Sequence, residues 1–385
     1  MLRFSEIHLR NWKNFGDVHI NISDRLFIYG ANAAGKSNLL DAFRFLKDVV
    51  NSGLQKAVND RGGIKKIRNL NARSQNHIEI KVLLMENDDI WTYKLQFNAA
   101  GGTNDNRDVN VKLEQITKNG KDIQNRKHAD GDYLSNQFTY LEQPAMNKEF
   151  RELYECFKAI SYVNIIPQII RESRSFIPSV SQEDFYGRNL LDTIASTTER
   201  TRNNRIKSIE KVLQLTVPQF SGLEFVKDEK GNPHLQVKYV HFRPHGAFQR
   251  EDQFSDGTLR LIGIIWAILD GDGLLLLEEP ELYLHSEFVK QLPTFIANAQ
   301  KKKDGRKRTV IISSHSYDLI NSDTIGIDEI VILEPGKEDT KAVLANTVPS
   351  IQHKIDAGFT PADAVIPQVT PKGIIEGQLS IIDLL

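Results

Sequence analysis

Gly30-Ala31-Asn32-Ala33-Ala34-Gly35-Lys36-Ser37 is the segment that decides how the rest of this 385-residue sequence is interpreted. It fits the pattern G-x-x-x-x-G-K-[ST], in which glycines allow backbone N–H groups to turn inward around a phosphate. Residues 26–29 are apolar and predict a buried strand before it, and apolar residues at helical spacing through residue 50 predict a helix after it. The helix N-terminus adds further N–H groups and the positive end of its dipole. The segment therefore predicts a phosphate-binding loop; the alternative is a glycine turn that only caps a helix.

The loop residues have separate expected roles in holding a nucleotide. Lys36 is expected to neutralise the β- and γ-phosphates, and Ser37 to hold Mg²⁺ through its hydroxyl. Gly30, Asn32 and Gly35 are expected to line the phosphates with their backbone.

Two carboxylates follow another strongly apolar run. Residues 274–277 are four leucines, which is typical of a strand inside a parallel sheet, and Glu278 and Glu279 come directly after them. Carboxylates at the C-terminal end of such a strand face the crevice where ligands bind. We expect Glu278 to lie on the Mg²⁺ side, directly or through water, and Glu279 to polarise the attacking water. A solvated charged loop is the alternative, and we assign Glu281 to it.

Composition limits the function classes. The chain is 40% hydrophobic and 26% charged, as in ordinary globular proteins, and its net charge of -1 gives no overall nucleic-acid signature. Its one cysteine, Cys156, excludes an internal disulfide and a cysteine-based zinc site. No signal-peptide core and no apolar run of roughly 20 residues is found. We therefore expect a cytoplasmic protein without a membrane segment.

The spacing of the motifs predicts an insertion. Lys36 and Glu279 lie 243 positions apart, which is too far for a compact single nucleotide-binding domain. Residues 101–130 are polar and are expected to form a loop or variable insertion, and residues 147–214 have a mostly helical pattern. A hairpin is expected from residues 223–226 and 235–240. The alternation of strands and helices after residue 257 predicts a mostly parallel sheet, and hence an α/β fold.

Two further segments complete the set of motifs. Residues 253–260, Gln-Phe-Ser-Asp-Gly-Thr-Leu-Arg, precede the helix that leads to the acidic strand, and alone they would be an ordinary helix N-cap. Residues 310–316, Val-Ile-Ile-Ser-Ser-His-Ser, predict a strand that ends just before His315.

In this order, the motifs resemble those of the ABC-type ATPase heads of the RecF, SMC and OLD class, over most of residues 1–340. The segments SDGTLR at 255–260 and LEEPELYLH at 277–285 look closest to the OLD-like AAA ATPases of bacterial antiphage systems, such as the ATPase subunits of PARIS, Septu and abortive-infection modules. The resemblance implies an ATPase head with an antiparallel β edge and an inserted helical lobe. The expected division is 1–100 and 241–345 for the head, 101–240 for the lobe with its hairpin, and 346–385 for a tail.

The resemblance also implies how the site works. Two heads would sandwich two molecules of ATP, with Ser255 and Gly257 against the γ-phosphate held by the other subunit and His315 sensing the same phosphate. Gln143, after a strand expected at residues 138–141, is the candidate for the glutamine that faces the nucleotide; otherwise it is a surface residue. The sequence departs from the family pattern at Glu278, where many ABC proteins have aspartate, and at Ser286, where proline is common. His285 is assigned no role.

The implied partners follow from the same resemblance. ATP would be converted with water to ADP and phosphate by a homodimer or a higher even oligomer. About 40 residues follow the last expected head strand, which is too few for a nuclease domain of ordinary size. We therefore expect a separately encoded effector, for example a Toprim-type nuclease, that docks on the tail or the lobe. A RecF-like DNA repair ATPase and a slow nucleotide-gated scaffold remain as alternatives.

Two basic runs keep DNA binding open. One is Arg61, Lys65, Lys66, Arg68 and Arg73, and the other is residues 301–308. Either could contact phosphates without sequence specificity, and either could be a solvated surface.

Overall fold

The computed structural model describes residues 2–72, 77–99, 108–127, 134–172, 184–217, 220–239, 247–300 and 308–370. The chain divides into two compact units. Unit 1 comprises Met1–Ser161, Asp272–Leu276 and Lys301–Leu385, and unit 2 comprises Tyr162–Gly271 and Leu277–Gln300. Among the described residues, no helix combines the length and the apolar character that crossing a lipid bilayer requires.

The strands, in chain order, are β1 (Arg3–Trp12), β2 (Phe15–Asn21), β3 (Arg25–Gly30), β4 (Ile78–Glu86), β5 (Asp89–Ala99), β6 (Val109–Lys118), β7 (Lys121–Lys127), β8 (Ser161–Val163), β9 (Phe220–Lys227), β10 (Pro233–Tyr239), β11 (Ala247–Arg250), β12 (Leu275–Glu278), β13 (Val310–Ser314), β14 (Ile330–Pro335) and β15 (Thr340–Leu344). The α-helices are α1 (Lys36–Ser52), α2 (Leu54–Asn59), α3 (Ile64–Ile67), α4 (Arg151–Lys158), α5 (Pro167–Arg171), α6 (Leu190–Ser196), α7 (Glu199–Thr216), α8 (Asp256–Leu269), α9 (Ser286–Gln300), α10 (Tyr317–Ile320), α11 (Pro349–Asp356) and α12 (Pro361–Val369).

One sheet of unit 1 is antiparallel throughout, in the order β2-β1-β4-β5-β6-β7. The expectation of a loop over residues 101–130 is wrong for its described part, because β6 and β7 form a hairpin there. Val109, Val111 and Ile116 are buried on one face of β6. Asn119 and Gly120 join the strands with φ of 51° and 76°, the left-handed pair that a two-residue hairpin turn requires.

The sheet that carries the motifs has the order β15-β14-β3-β13-β12-β8. Both β13 and β14 pair in parallel with β3, and β15 pairs antiparallel with β14. The division into units falls inside two of its strands, after Ser161 in β8 and after Leu276 in β12. The expected α/β fold with parallel strands is confirmed.

Helix α1 is held by aromatic packing within unit 1. Phe43 meets Phe4 edge to face with ring centroids 5.5 Å apart, and Phe45 stacks on Phe97 at 5.4 Å. The Trp12 ring lies 5.2 Å from Phe45. Other residues of α1 contact β3 and β13, so the helix is buried between the two sheets of its unit. Aromatic side chains bury large areas, and this packing fixes the helix that follows the phosphate loop.

Unit 2 is built around α8, whose residues are apolar nearly all round, as expected of a helix buried on every side. It contacts α5, α7 and α9. The unit also contains the antiparallel sheet β11-β10-β9, which confirms the hairpin expected near residues 223–240. Helices α5 to α7, from the region for which a lobe was expected, belong to this unit, whereas α4 from the same region belongs to unit 1.

After residue 346 the described chain forms the two helices α11 and α12. Ile351 of α11 and Ala362, Ala364 and Val365 of α12 are buried within unit 1. This part of the expected tail therefore belongs to the core of its unit. Residues 371–385 lie outside the described residues.

Candidate nucleotide site

The phosphate loop leaves β3 at Gly30 and enters α1 at Lys36. A Cβ at Gly30 would lie 3.1 Å from the carbonyl oxygen of Leu333, so the loop begins with a close backbone approach that glycine permits. Ala33 has a φ of 64°, and Gly35, the N-cap of α1, has a φ of 103°. Because both residues adopt the left-handed region, the backbone between strand and helix is sharply curved.

Lys36 lies inside this curve. It is only 7% exposed, although lysine is almost never buried unless it is paired. Its Nζ donates to the carbonyl of Gly30 at 2.9 Å and to that of Ala31 at 3.4 Å. Asn32 and Ser37 are exposed, and Ser37 lies in the first turn of α1. The loop thus combines a positive charge with a helix N-terminus, which suits an anionic phosphate group.

Asn14, in the turn between β1 and β2, supports the loop from behind. Its Nδ2 donates to the carbonyl of Ala34 at 3.0 Å and to the Oγ1 of Thr340 at 2.8 Å. Its Oδ1 accepts from the Nδ2 of Asn38 at 2.7 Å. A Cβ at position 35 would lie 2.1 Å from the Asn14 Nδ2, so Gly35 leaves the space that this side chain occupies.

Sequence reasoning missed Asn14 because nothing in the neighbouring sequence distinguishes it from an ordinary turn residue. Its partners lie 20, 24 and 326 positions away along the chain. No local pattern reveals such contacts; the weak signal available was an asparagine in the short turn before β2, two strands ahead of the phosphate loop.

The structure brings His315 to the same end of the sheet as the phosphate loop. In the parallel pair β3–β13, Ser314 lies opposite Tyr29, so His315, the first residue after β13, lies at the same edge of the sheet as Gly30, the last residue of β3. The hydroxyl of Tyr29 donates to the carbonyl of Ser316 at 3.2 Å. The His315 side chain is exposed at this edge.

Gln143 is placed differently from the expectation. Residues 138–141 do not form a strand, and the Nε2 of Gln143 donates to the carbonyl of Thr139 at 2.9 Å within a turn. The buried carboxylate of Glu114 holds this turn by accepting the N–H groups of Tyr140 at 2.6 Å and Leu141 at 3.0 Å. The expected strand is therefore wrong, and the role of Gln143 stays a prediction without that support.

The Glu114 carboxylate is unusual in itself. It is fully buried on β6, and this burial raises its pKa to about 7, even though the two backbone N–H donors act in the opposite direction. Burial disfavours the charged form of an acid, which is the direction seen here.

The first basic run is only partly a basic surface. The guanidinium of Arg61 pairs with Asp41 at 2.8 Å and with Asp48 at 2.7 Å, and it lies over the ring of Phe45. Arg61 is thus already paired with two carboxylates in the structure, and DNA binding by this basic run stays a prediction. Lys65 and Lys66 are exposed.

Of the remaining basic residues, those that the structure describes are partly or fully buried. Arg68 is half-buried, and Arg73 lies outside the described residues. In the second run, residues 301–307 lie outside them as well, and Arg308 is buried at 3% exposure. The Nε of Arg308 donates to the carbonyl of Gly273 at 2.7 Å, so this arginine is a structural residue of unit 1.

Unit 2 carries the signature-like segment at the N-terminus of α8. Ser255 caps the helix, with its Oγ accepting the N–H of Thr258 at 3.2 Å. Asp256 forms an ion pair with Arg171 and accepts from the Nε2 of Gln168 at 2.9 Å. The cap that these residue types predict is therefore present, and the first turn of α8 is held by α5.

The acidic loop approaches the signature-like segment within unit 2. A Cβ at Gly257 would lie 2.7 Å from the carbonyl oxygen of Tyr283, so only glycine allows this contact. Glu278 is the last residue of β12, and its carboxylate accepts a hydrogen bond from the hydroxyl of Tyr162. Glu279 has a φ of 43°, a left-handed conformation that is uncommon for residues other than glycine.

Arg260 joins α8 to this loop. The residue is 2% exposed, and its guanidinium donates to the carbonyl of Glu279 at 2.6 Å and to that of Ile165. One of its nitrogens lies 3.5 Å from the carbonyl of Glu278. Sequence reasoning quoted Arg260 only as a letter of the motif; an arginine among the apolar residues of a buried helix was the signal that it contacts something polar.

The sequence predicted that Glu281 belongs to a solvated charged loop, and this prediction is wrong. It is 8% exposed. Burial lowers the pKa of Arg260, and the carboxylates of Glu281 and Glu279 act against that shift. The buried Glu281 therefore contributes negative charge close to the guanidinium.

Each unit thus contains some of the site residues that the sequence predicts. Unit 1 places His315 at the strand end where the phosphate loop begins, and unit 2 places Ser255 and Gly257 beside the acidic loop that carries Glu279. The hydroxyl of Ser37 and the carboxylate of Glu278 are hard oxygen donors of the kind that Mg²⁺ prefers. Within the described ranges, no three or more His, Cys, Asp or Glu side chains are grouped as a metal site of their own.

Known proteins resemble this chain in sequence and in fold. The profile of the family described as "AAA domain, putative AbiEii toxin, Type IV TA system" matches residues 26–321. Endonuclease GajA of Bacillus cereus (strain VD045) is 45% identical over 47 residues, which span 12% of this chain and 8% of that protein.

Two solved structures show the extent of the structural likeness. An SMC head bound to the C-winged helix domain of ScpA is 15% identical and has a TM-score of 0.54, covering 88% of this chain and 96% of that one. An SMC head domain from Thermotoga maritima is 14% identical and has a TM-score of 0.48, covering 89% and 98%. The first of these shares the fold of this chain.

Proposed function

The chain belongs to the AbiEii-type AAA domain family, and we propose that it hydrolyses ATP with Mg²⁺ at an interface between two copies of its head. The expected relationship to the ABC-type ATPases of the SMC and RecF class is confirmed by the family match and by the fold shared with an SMC head.

The observation that carries the proposal is the position of Lys36. Its ammonium group lies inside the curved backbone of residues 30–36, 2.9 Å from the carbonyl of Gly30. A buried cation beside a helix N-terminus gives an anion both a charge and hydrogen-bond donors. The β- and γ-phosphates of ATP are the ligand that fits this arrangement.

The reaction needs a base and a metal as well as the loop. In the proposed step, the oxygen of a water molecule bonds to the γ-phosphorus while the bond from that phosphorus to the bridging oxygen of ADP breaks. Glu279 takes the proton of the water, and ADP leaves with the electron pair. Ser37 and Glu278 would hold Mg²⁺, which would neutralise charge on the phosphates.

The second head is proposed from the signature-like segment. Ser255 and Gly257 lie at the N-terminus of α8, where the helix dipole favours an anion. The family resemblance assigns this turn to the γ-phosphate bound by the other copy, together with His315. A homodimer or a higher even oligomer follows from that assignment, because one head then cannot complete its own site.

The biological role is proposed from the family and from one relative. The family description refers to a toxin of a type IV toxin–antitoxin system, and the 47-residue match is to an endonuclease. We assign this chain the part of an ATPase sensor or scaffold in a bacterial antiphage system. A separately encoded effector, such as a Toprim-type nuclease, would act when the heads close.

Phosphate release by the purified chain tests the proposal. Lys36→Ala should abolish tight ATP binding and reduce phosphate release to background, while Lys47→Ala on the same helix should behave like the unaltered chain. Release by Lys36→Ala at the unaltered rate would refute the assignment. Strong stimulation by DNA would favour a repair ATPase, and a stable ATP-bound dimer with negligible release would favour a scaffold.

A further inference from the structure

We propose that Arg260 is a positioning residue for ATP hydrolysis, which holds the backbone of Glu279 and joins it to the helix that begins at Ser255. This inference rests on the proposed function, because Arg260 acts through the proposed base. Its side chain bonds to main-chain carbonyl oxygens, and we assign it no contact with ATP.

The first support is the conformation of the base. The φ of 43° at Glu279 is held only if the surroundings stabilise it, since L residues rarely adopt that region. The guanidinium donates to the Glu279 carbonyl at 2.6 Å, which is the next main-chain group after the strained φ. Arg260 therefore stabilises the turn that sets the direction of the Glu279 side chain.

The second support is the burial of the guanidinium. At 2% exposure, a charged group needs compensating partners, and here it has carbonyl oxygens of Ile165 and Glu279. A planar fork of five N–H donors can serve several carbonyls at once, whereas the ammonium of lysine is a compact point charge on a flexible chain. An Arg-to-Lys substitution therefore keeps the charge and loses the geometry.

The third support is the connection to the signature-like segment. Arg260 and Ser255 lie five positions apart, at the start of one buried helix. Gly257, between them, makes the close approach to the Tyr283 carbonyl, so α8 contacts the acidic loop at two points. A displacement of the α8 N-terminus when a phosphate docks there would reach the Glu279 backbone through these contacts. Arg260 thereby links closure of the heads to the placement of the base.

The test compares four variants of the full chain: Arg260→Lys, Glu279→Gln, the double variant, and Arg205→Lys as a control. Arg205 belongs to the same unit, where it forms an ion pair with Asp270 at 2.8 Å. We expect Arg260→Lys to lower kcat by roughly 10-fold or more while the Kd for an ATP analogue changes less than about 3-fold, because orientation and not binding is lost. Arg205→Lys should retain the unaltered kcat.

The double variant separates positioning from a general structural role. If Arg260 acts through Glu279, Arg260→Lys should not lower the residual single-turnover rate of Glu279→Gln any further. An equal fold-loss in both backgrounds, or an unaltered kcat for Arg260→Lys beside an impaired Glu279→Gln, would overturn the inference alone. An unaltered kcat for Glu279→Gln would overturn the proposed function, and the inference with it.

A second measurement distinguishes a local effect of Arg260→Lys from a general folding defect. Hydrogen exchange of the peptide spanning residues 277–285 should be faster in Arg260→Lys, while peptides of β3 and α1 keep their protection. Uniformly faster exchange across both units would mean that the substitution unfolds the chain, and the positioning role would be rejected.

Discussion

Ser314 lies directly opposite Tyr29 in the register of the parallel strands β13 and β3. Parallel strands that are in register end at the same edge of a sheet, so the loops that begin at His315 and Gly30 start side by side. Main-chain pairing of the two strands creates this proximity, and the hydroxyl of Tyr29, which donates to the carbonyl of Ser316 at 3.2 Å, adds to it. The position of the histidine beside the phosphate loop is thus a property of the sheet.

Replacement of Glu279 by glutamine should separate binding from chemistry. The amide keeps the shape of the side chain and removes the group that takes the proton, so ATP binding should persist while turnover falls by roughly 100-fold or more. Steady-state phosphate release and equilibrium binding of a fluorescent ATP analogue would measure the two effects. Near-normal turnover would show that another residue is the base.

Ser255→Arg should block the assembly of two heads. The larger, positively charged side chain would occupy the turn at the α8 N-terminus, while Lys36 and the phosphate loop would still bind ATP. Sedimentation with a slowly hydrolysed ATP analogue should give a dimer for the unaltered chain and a monomer for the variant. Equal dimerisation of both proteins would contradict the signature assignment.

Loss of the Asn14 side chain should weaken ATP binding, because this side chain supports the backbone of the phosphate loop. Asn14→Ala removes hydrogen bonds to Ala34, Thr340 and Asn38, each worth about 1 kcal/mol, and leaves polar groups without a partner. We expect the Kd for ATP to rise by roughly 10-fold, since about 1.4 kcal/mol is a tenfold change. Isothermal titration would measure it, with Asn59→Ala at the end of α2 as the control. ATP binding equal to that of the unaltered chain would exclude a supporting role.

The raised pKa of Glu114 predicts a pH dependence of stability. Its pKa is raised from 4.5 to about 7 by burial, so between these values the folded chain binds a proton that the unfolded chain has released. The contribution is fully present below about pH 4.5 and is lost as the pH rises to about 7, and it amounts to roughly 3 kcal/mol.

Urea unfolding from pH 5 to pH 8 would check this dependence. Glu114→Gln should show a shallower fall in the free energy of unfolding over that interval, whereas the exposed control Glu149→Gln should keep the slope of the unaltered chain. Identical slopes for Glu114→Gln and the unaltered chain would mean that the carboxyl titrates normally.

Residues 372–385 are expected to contribute more to binding of a partner protein than to ATPase activity. Deletion of residues 372–385 leaves α12 intact, because that helix ends at Val369. We expect weaker capture of the effector and an unaltered rate of phosphate release, measured by pull-down with the protein encoded next to it and by the phosphate assay. The purified chain alone should cleave neither DNA nor RNA. A matching loss of folding and binding would assign these residues to the core.

Sequence patterns were most informative where function depends on neighbours along the chain. The apolar run at residues 26–29, the glycines of the loop and the leucines at 274–277 are local signals, and the structure has a strand or a loop at each. Asn14 and Arg260 were missed because their importance lies in partners distant in sequence. The polar composition of residues 101–130 concealed the alternation of β6, and the short apolar run at 138–141 was mistaken for a strand.

The packing of α1 has a consequence for the thermodynamics of ligand capture. With Phe43 and Phe45 locked against the aromatic rings of Phe4, Trp12 and Phe97, the first turn of the helix has its final orientation before any nucleotide arrives. Binding of the nucleotide then requires little further loss of conformational entropy in the phosphate loop, because the loop is already ordered when the chain folds. The speed of the encounter would be governed by diffusion and by electrostatic steering, and therefore by ionic strength.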